Sequence, residues 1–188
     1  MNTNNERSVI SSWVELYSDS LFSWAFHKTL HKETAEDLVQ ECFISALNSF
    51  ATYENKSNPK TWLFSILNHK ISDHFRRIVR RPIIHHNAFN ESFFDHQENW
   101  KFDRKPQPWS DDSVSLLDDP EFIQIWESCL KRLPENWLAV IQLKYLNQEN
   151  SSSICQELDI SKTNYWQMIH RAKLQLRTCL EKNWINLK

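Results

Sequence analysis

Basic and amide side chains are concentrated in two stretches of the sequence, and their types suggest binding rather than catalysis. Between Lys60 and Arg81 there are six Lys or Arg residues and one Asp, a local charge of +5. Between Lys162 and Lys188 there are again six, with one Glu. Ammonium and guanidinium groups at this density bind phosphates, and Asn or Gln amides can read base edges. These stretches therefore predict polyanion recognition; the alternative is a solvated charged face.

The first basic stretch is predicted to lie on one side of a helix that starts at Pro59 and ends before Pro82. An apolar stripe at helical spacing predicts its buried side: Leu63, Ile66, Leu67, Ile71, Phe75 and Ile78. The other side carries the charged residues Lys70, Asp73, Arg76, Arg77 and Arg80. A helix that packs on one side and offers guanidinium groups on the other suits a polyanion.

Two further helices are predicted before this one. The first spans about residues 7–30, with a broad apolar face of Val9, Trp13, Leu16, Tyr17, Leu21, Trp24 and Phe26. The second spans about residues 34–50, with Thr34 as its cap and Leu38 in its buried stripe. Asp37, Gln40, Glu41 and Ile44 lie partly outside that stripe, so they form either an acidic docking surface or a solvated face.

The second basic stretch follows the pattern of a helix-turn-helix. A short helix over 151–158, a turn over 159–161 and a long helix over 162–183 are predicted after an earlier helix capped by Asp119. Asp159 stands where a left-handed residue is needed, which Asp tolerates. Tyr165, Ile169, Ala172 and Leu176 repeat on the inward side. The groove side is then Lys162, Thr163, Asn164, Gln167, His170, Arg171 and Lys173. Trp166 is predicted either to pack on the preceding helix, the placement we favour, or to contact a thymine methyl group.

Both halves of the chain resemble one protein family. The segments AEDLVQECF, TWLFSI and DHFRR resemble region 2 of the sigma-70 family, in particular the extracytoplasmic-function sigma factors. The segments LPENWLAVIQLKYL and ISKTNYWQMIHRAKLQLRTCLEKNW resemble region 4 of the same family. The resemblance implies an all-α protein of two small helical domains: 1–81 as region 2, 82–118 as an acidic linker and 119–188 as region 4.

The resemblance also implies roles. Core RNA polymerase would bind Asp37, Leu38, Gln40, Glu41 and Ile44. The minus-10 promoter element would bind Asn55, Lys56, Ser57, Asn58, Lys60, Lys70, Asp73, Arg76, Arg77 and Arg80. The minus-35 element would bind the seven groove-side residues of the last helix. The expected partners are core RNA polymerase, promoter DNA and an anti-sigma factor; the alternative is a helix-turn-helix regulator that does not bind polymerase.

Composition restricts the other classes of function. The chain has no glycine, which excludes glycine-dependent phosphate loops. Its four cysteines form no CxxC pair, so free thiols in a reducing compartment are expected and a disulfide framework is not. His85, His86 and His96 lack the spacing of zinc ligands, so no metal, cofactor or enzymatic activity is expected. The polar start and the lack of a long apolar stretch predict a cytoplasmic protein without a membrane span.

Overall fold

A computed structural model of the chain describes residues 3–53, 58–81, 93, 101–102 and 116–184. Within these ranges the protein is all-α, which confirms the predicted fold class. The helices are α1 (Thr3–Thr29), α2 (Lys32–Ser49), α3 (Pro59–Val79), α4 (Pro120–Lys131), α5 (Glu135–Ile141), α6 (Ser151–Leu158) and α7 (Lys162–Asn183). A π-helical turn, Gln142–Leu146, continues α5, and two short 3-10 turns cover Phe50–Thr52 and Leu116–Asp118.

The chain divides into two compact units that do not coincide with the two sequence modules. The first unit combines residues 1–80 with 135–170, and the second combines 81–134 with 171–188. In the first unit α3 contacts α1, α2, α5 and α6. The helix-turn-helix therefore packs directly on the basic helix in this unit. Most of the acidic linker, residues 82–118, lies outside the described residues.

The core of the first unit contains the apolar stripes predicted from the sequence, with local differences. Leu63, Leu67, Ile71 and Phe75 of α3 are buried as expected, but Val79 rather than Ile78 completes the stripe. The four-residue repeat of this stripe is the spacing that keeps side chains on one helix face. In α1 the predicted apolar face is only partly buried: Leu16 and Phe26 remain exposed.

Caps explain where several helices begin. Asp119 caps α4 by accepting hydrogen bonds from the backbone N–H groups of Glu121 and Phe122, which confirms its predicted role. The predicted cap of α2 is wrong: α2 begins two residues earlier, and the His31 ring accepts from the Thr34 backbone N–H. A ring nitrogen can accept this bond because the first-turn N–H groups have no partner in the helix.

The left-handed backbone positions show how a glycine-free chain turns corners. Leu30, Gln148 and Asp159 each have φ of 55°. Asp159 ends α6 in the left-handed conformation predicted for the turn. Glycine would adopt this conformation without steric cost, whereas a Cβ atom costs about 1–2 kcal/mol per residue. The surrounding helix packing offsets that cost.

The second unit is built on the contact between α4 and the C-terminal half of α7. Cys129 of α4 and Cys179 of α7 form a disulfide with a Cα–Cα distance of 5.8 Å. The Phe122 and Trp184 rings meet edge to face, with centroids 5.4 Å apart. The Gln175 side chain donates to the Arg132 carbonyl oxygen at 2.8 Å. The expectation of four free thiols is therefore wrong, because the fold brings together two cysteines 50 residues apart.

Candidate nucleic-acid and polymerase interfaces

The acidic face of α2 is exposed, as a docking surface requires. Asp37, Gln40 and Glu41 are exposed, and Ile44 adds an apolar side chain with 60 % of its surface exposed. Leu38 does not belong to this face, because only 4 % of its surface is exposed and it packs in the core. Its assignment to the docking surface is not supported by its placement. What remains is a mixed carboxylate and apolar surface.

The loop between α2 and α3 is only partly described. Asn55, Lys56 and Ser57, predicted to bind DNA, lie outside the described residues. Asn58 is the N-cap of α3, and its side-chain oxygen accepts a hydrogen bond from the Lys60 backbone N–H at 2.9 Å. The Lys60 Nζ atom lies over the Phe64 ring, 5.9 Å from its centroid. The Asn58 side chain therefore caps α3, whereas the Lys60 ammonium group is exposed to solvent.

An aromatic cluster that the sequence did not predict holds the two ends of this loop. Tyr53 precedes the loop and Trp62 follows it, and their rings stack with centroids 4.7 Å apart. Trp13 of α1 contacts both rings edge on, at 5.4 Å and 6.1 Å. Phe50 lies 5.6 Å from Trp13. Aromatic pairs in such geometries stabilise beyond their buried area, so the loop ends are fixed to α1.

The basic face of α3 is engaged by the helix-turn-helix of the same unit. Arg76 donates two hydrogen bonds to the backbone oxygen of Glu157, from Nε at 3.1 Å and from Nη2 at 2.8 Å. Its third contact is an ion pair with Asp73 at 2.5 Å. Arg80 forms an ion pair with Asp159 at 2.6 Å. The Ser72 hydroxyl also donates to the Glu157 carboxylate.

The remaining charged residues of this face are placed differently. Arg77 is exposed, and the Lys70 Nζ atom forms an ion pair with Glu41 of α2 at 3.6 Å. Because both partners of the Lys70 pair are partly exposed, the pair contributes little to stability. The predicted basic residues thus lie on one helix. Arg76 and Arg80 are bound to acceptors of α6 and its turn, whereas Arg77 is exposed to solvent.

A polar cavity of about 310 Å³ lies beside these contacts. Its lining includes Trp24, Lys28, Asn68, Glu149 and Glu157. The Lys28 Nζ atom forms an ion pair with Glu149 at 3.1 Å, and the Trp24 indole donates to the Asn68 side-chain oxygen at 2.8 Å. Burial raises the pKa of Glu149, and the neighbouring Glu157 adds to this, while Lys28 opposes it. Sequence spacing gave no signal for this cluster, because its members come from distant segments.

The groove side of α7 is largely placed as predicted. Tyr165, Ile169, Ala172 and Leu176 are buried. Exposed side chains on the other side are Lys162, Thr163, Asn164, Gln167, His170 and Lys173. The Ser161 hydroxyl caps α7 by accepting a hydrogen bond from the Asn164 backbone N–H at 3.1 Å. The first turns of α7 therefore present amide and ammonium groups to solvent.

Two residues of α7 depart from the prediction. Arg171 is buried, with 9 % of its surface exposed, so its assignment to the phosphate-binding side does not fit its position. Packing of Trp166 on the preceding helix, the favoured of its two predicted placements, does not fit the structure, because 54 % of its surface is exposed. The error for Arg171 arises because helical spacing alone does not fix the width of a buried stripe.

The cysteine environments disfavour thiol chemistry. Cys42 and Cys155 are free and buried. Burial raises the pKa of the Cys42 thiol to about 12, against the charge of Lys70, and burial also raises the pKa of Cys155. Thiols with raised pKa values are poor nucleophiles. The part of the chain that the structure describes holds no group of three potential metal ligands, and His85, His86 and His96 lie outside it.

Comparisons with known proteins give matches for both the N-terminal and the C-terminal parts of the chain. The family model described as sigma-70 region 2 matches residues 13–81, and the model described as sigma-70, region 4 matches residues 123–176. A "Probable RNA polymerase sigma factor" of Haemophilus influenzae is 36% identical over 80% of this chain and 78% of its own length. The "RNA polymerase sigma factor YlaC" of Bacillus subtilis is 25% identical over 94% of this chain and 95% of its own. The "ECF RNA polymerase sigma factor SigM" of Bacillus subtilis is 22% identical over 87% and 90%.

No helix among the residues described is both long and apolar enough to cross a membrane.

Proposed function

The chain belongs to the sigma-70 family of RNA polymerase sigma factors, and we propose that it is an alternative sigma factor of the extracytoplasmic-function type. It binds core RNA polymerase and directs promoter-specific transcription initiation. The observation that carries this function is the order of the two family regions, 13–81 and then 123–176, in a chain that matches the Haemophilus influenzae relative over 78% of that relative's length. A helix-turn-helix regulator would not need region 2.

The division of labour within the chain follows from the exposed surfaces. Residues 1–81 would bind polymerase and the minus-10 element, residues 82–118 would link the regions, and residues 119–188 would read the minus-35 element. The acidic face of α2 supports the first role, because its carboxylates are exposed beside Ile44. The exposed first turns of α7 support the last role. Arg76, Arg77 and Arg80 would supply the guanidinium groups for the minus-10 side, and the exposed Arg77 supports this role.

This function needs no catalytic group in the chain itself. A sigma factor supplies promoter recognition, and the chemistry of RNA synthesis belongs to the polymerase. A subunit that acts with polymerase on promoter DNA would work in the cytoplasm. An anti-sigma factor is a further partner that we propose for regulation of the exposed surfaces.

Transcription from a promoter pool tests the proposal directly. The purified protein is added to core RNA polymerase together with templates carrying randomised minus-35 and minus-10 elements, and run-off transcripts are sequenced. We expect transcripts only when the protein is present, with a shared sequence motif upstream. If the protein binds DNA but core polymerase gives no protein-dependent transcript, the chain acts as a regulator without polymerase.

Charge reversal tests the polymerase-docking face. We expect Asp37→Lys with Glu41→Lys to weaken binding to core polymerase, because a lost charge-assisted contact costs about 1.5–3 kcal/mol. A matched control reverses Glu15 and Asp19, which are exposed on α1 at the same four-residue spacing. Binding is measured by co-sedimentation or anisotropy, and helical content by circular dichroism. Equal loss in both double variants would indicate general electrostatics instead of a docking site.

A further inference from the structure

Trp166 lies in the middle of the exposed side of α7. Thr163, Trp166, Gln167 and His170 follow the i, i+3, i+4, i+7 spacing of one helix face, and all four are exposed. The buried residues Tyr165 and Ile169 lie on the other side. The indole is therefore part of the surface that a recognition helix presents to the major groove.

The Trp166 ring contacts one buried aromatic ring and is otherwise largely exposed. The Tyr165 ring is fully buried and meets the Trp166 ring edge on, with centroids 5.0 Å apart and an interplanar angle of 76°. More than half of the Trp166 surface nevertheless remains exposed. A large apolar side chain that is held in place and left in solvent loses little conformational freedom when a partner covers it. The position is suited to contact rather than to folding.

The chemistry of the major groove identifies what this side chain would meet. Amide, hydroxyl and imidazole groups on the same face match the hydrogen-bonding edges of bases. The apolar group that a base pair presents in the major groove is the C5-methyl of thymine. Building on the proposed function, we propose that Trp166 determines specificity by packing its indole on a thymine methyl in the minus-35 element.

Replacing thymine by uracil tests this contact, because it removes the methyl group and nothing else. Promoters selected by the holoenzyme are prepared with uracil at each minus-35 thymine in turn, on either strand. The wild-type holoenzyme should lose about fourfold in affinity at one position, the factor that one buried methyl group is worth. Trp166→Ala should bind the parent promoter more weakly and show no further loss with uracil there. Lys162→Ala, which removes an exposed cation one turn earlier, should keep the wild-type uracil effect.

Several results would overturn the proposal. They are a selected minus-35 element without thymine, a wild-type protein indifferent to every uracil, or a Trp166→Ala variant as sensitive to uracil as the wild type. Thermal melting shows whether the variant is folded; if it is not, Trp166→Gln gives the same comparison. A holoenzyme that selects no promoter at all would instead contradict the proposed function.

Discussion

The basic face of α3 and the groove side of α7 carry similar chemistry, but the fold treats them differently. On α3, Arg76 and Arg80 are bound to oxygens of α6 and its turn. On α7, Lys162, Asn164 and Gln167 are exposed. Donors on both helices suit phosphates and bases. The difference shows that side-chain donors predicted to bind DNA can already be hydrogen-bonded to acceptors of the same chain.

The geometry of short helices explains this difference. The C-terminal end of α6 supplies carbonyl oxygens that lack partners, and its αL residue is an Asp with a carboxylate. The arginines of a helix packed against such an end can therefore donate hydrogen bonds to its free carbonyl and carboxylate oxygens. The first turns of α7 instead expose an N-terminal end, where Ser161 already caps the free N–H of Asn164. The side chains of Lys162, Asn164 and Gln167 in these turns are exposed.

The largest expected effect is a loss of stability in the C-terminal half of α7, which the Cys129–Cys179 disulfide joins to α4. Reducing the Cys129–Cys179 bond should lower the free energy of unfolding by roughly 4 kcal/mol, the loop-entropy value for about 50 residues. Sequence preference should hardly change, because the last groove residue, Lys173, precedes Cys179 by more than one helical turn. Urea unfolding with and without reductant measures this. Cys129→Ser with Cys179→Ser should be insensitive to reductant; a reductant effect that persists there would point to another cause.

Arg171 distinguishes burial from DNA contact on the same helix. Because its side chain is buried, Arg171→Ala should lower the free energy of unfolding by about 1.5–3 kcal/mol, the range for hydrogen bonds to charged groups. Lys173→Ala, at an exposed position two residues on, is the control and should melt like the wild type. If Arg171→Ala leaves stability unchanged but reduces the salt dependence of DNA binding, the residue reaches phosphate after all.

Gln167 is the opposite case to Arg171, because its substitution should change DNA sequence specificity and leave protein stability unchanged. Since its side chain is exposed, Gln167→Ala should melt at the wild-type temperature. It should change base preference at one or two minus-35 positions by about 1–3 kcal/mol, the value of a bidentate base contact. Binding selection on randomised minus-35 sequences measures the preference. An unchanged preference would remove Gln167 from the reading face.

The smallest expected effect is a pH dependence of the free energy of unfolding, caused by Glu149 in the cavity beside α3. The raised pKa of Glu149 means that the native state holds this proton more tightly than the unfolded chain, whose pKa is near 4.5. Stability should therefore fall as pH rises from 4.5 through the raised native pKa. Lys28 faces Glu149 from α1 and Glu157 faces it from α6, and Lys28 limits the effect. Glu149→Gln should remove this dependence in urea titrations; the same slope in both proteins would assign it elsewhere.

Most helix bounds and the cap of α4 were predictable because their causes are local, although the cap of α2 was not. The bounds of α6 and α7, the caps Asp119 and Ser161 and the left-handed Asp159 all depend on residues within a few positions. The family resemblance rested on similarly short segments. Helical spacing placed Leu38 correctly in the buried stripe, whereas the resemblance assigned it to the docking surface. Arg171 was misplaced because helical spacing gives the direction of a stripe but not its edges.

The sequence by itself determined the helical class, the helix-turn-helix and the two basic surfaces, since periodicity, capping and charge are properties of neighbouring residues. Only the tertiary structure decided which of those surfaces stays open. Arg76 meets Glu157 across 81 residues, and Arg80 meets Asp159 across 79. The disulfide joins cysteines 50 residues apart. Such pairings depend on how whole helices pack against each other, and no local pattern encodes that packing.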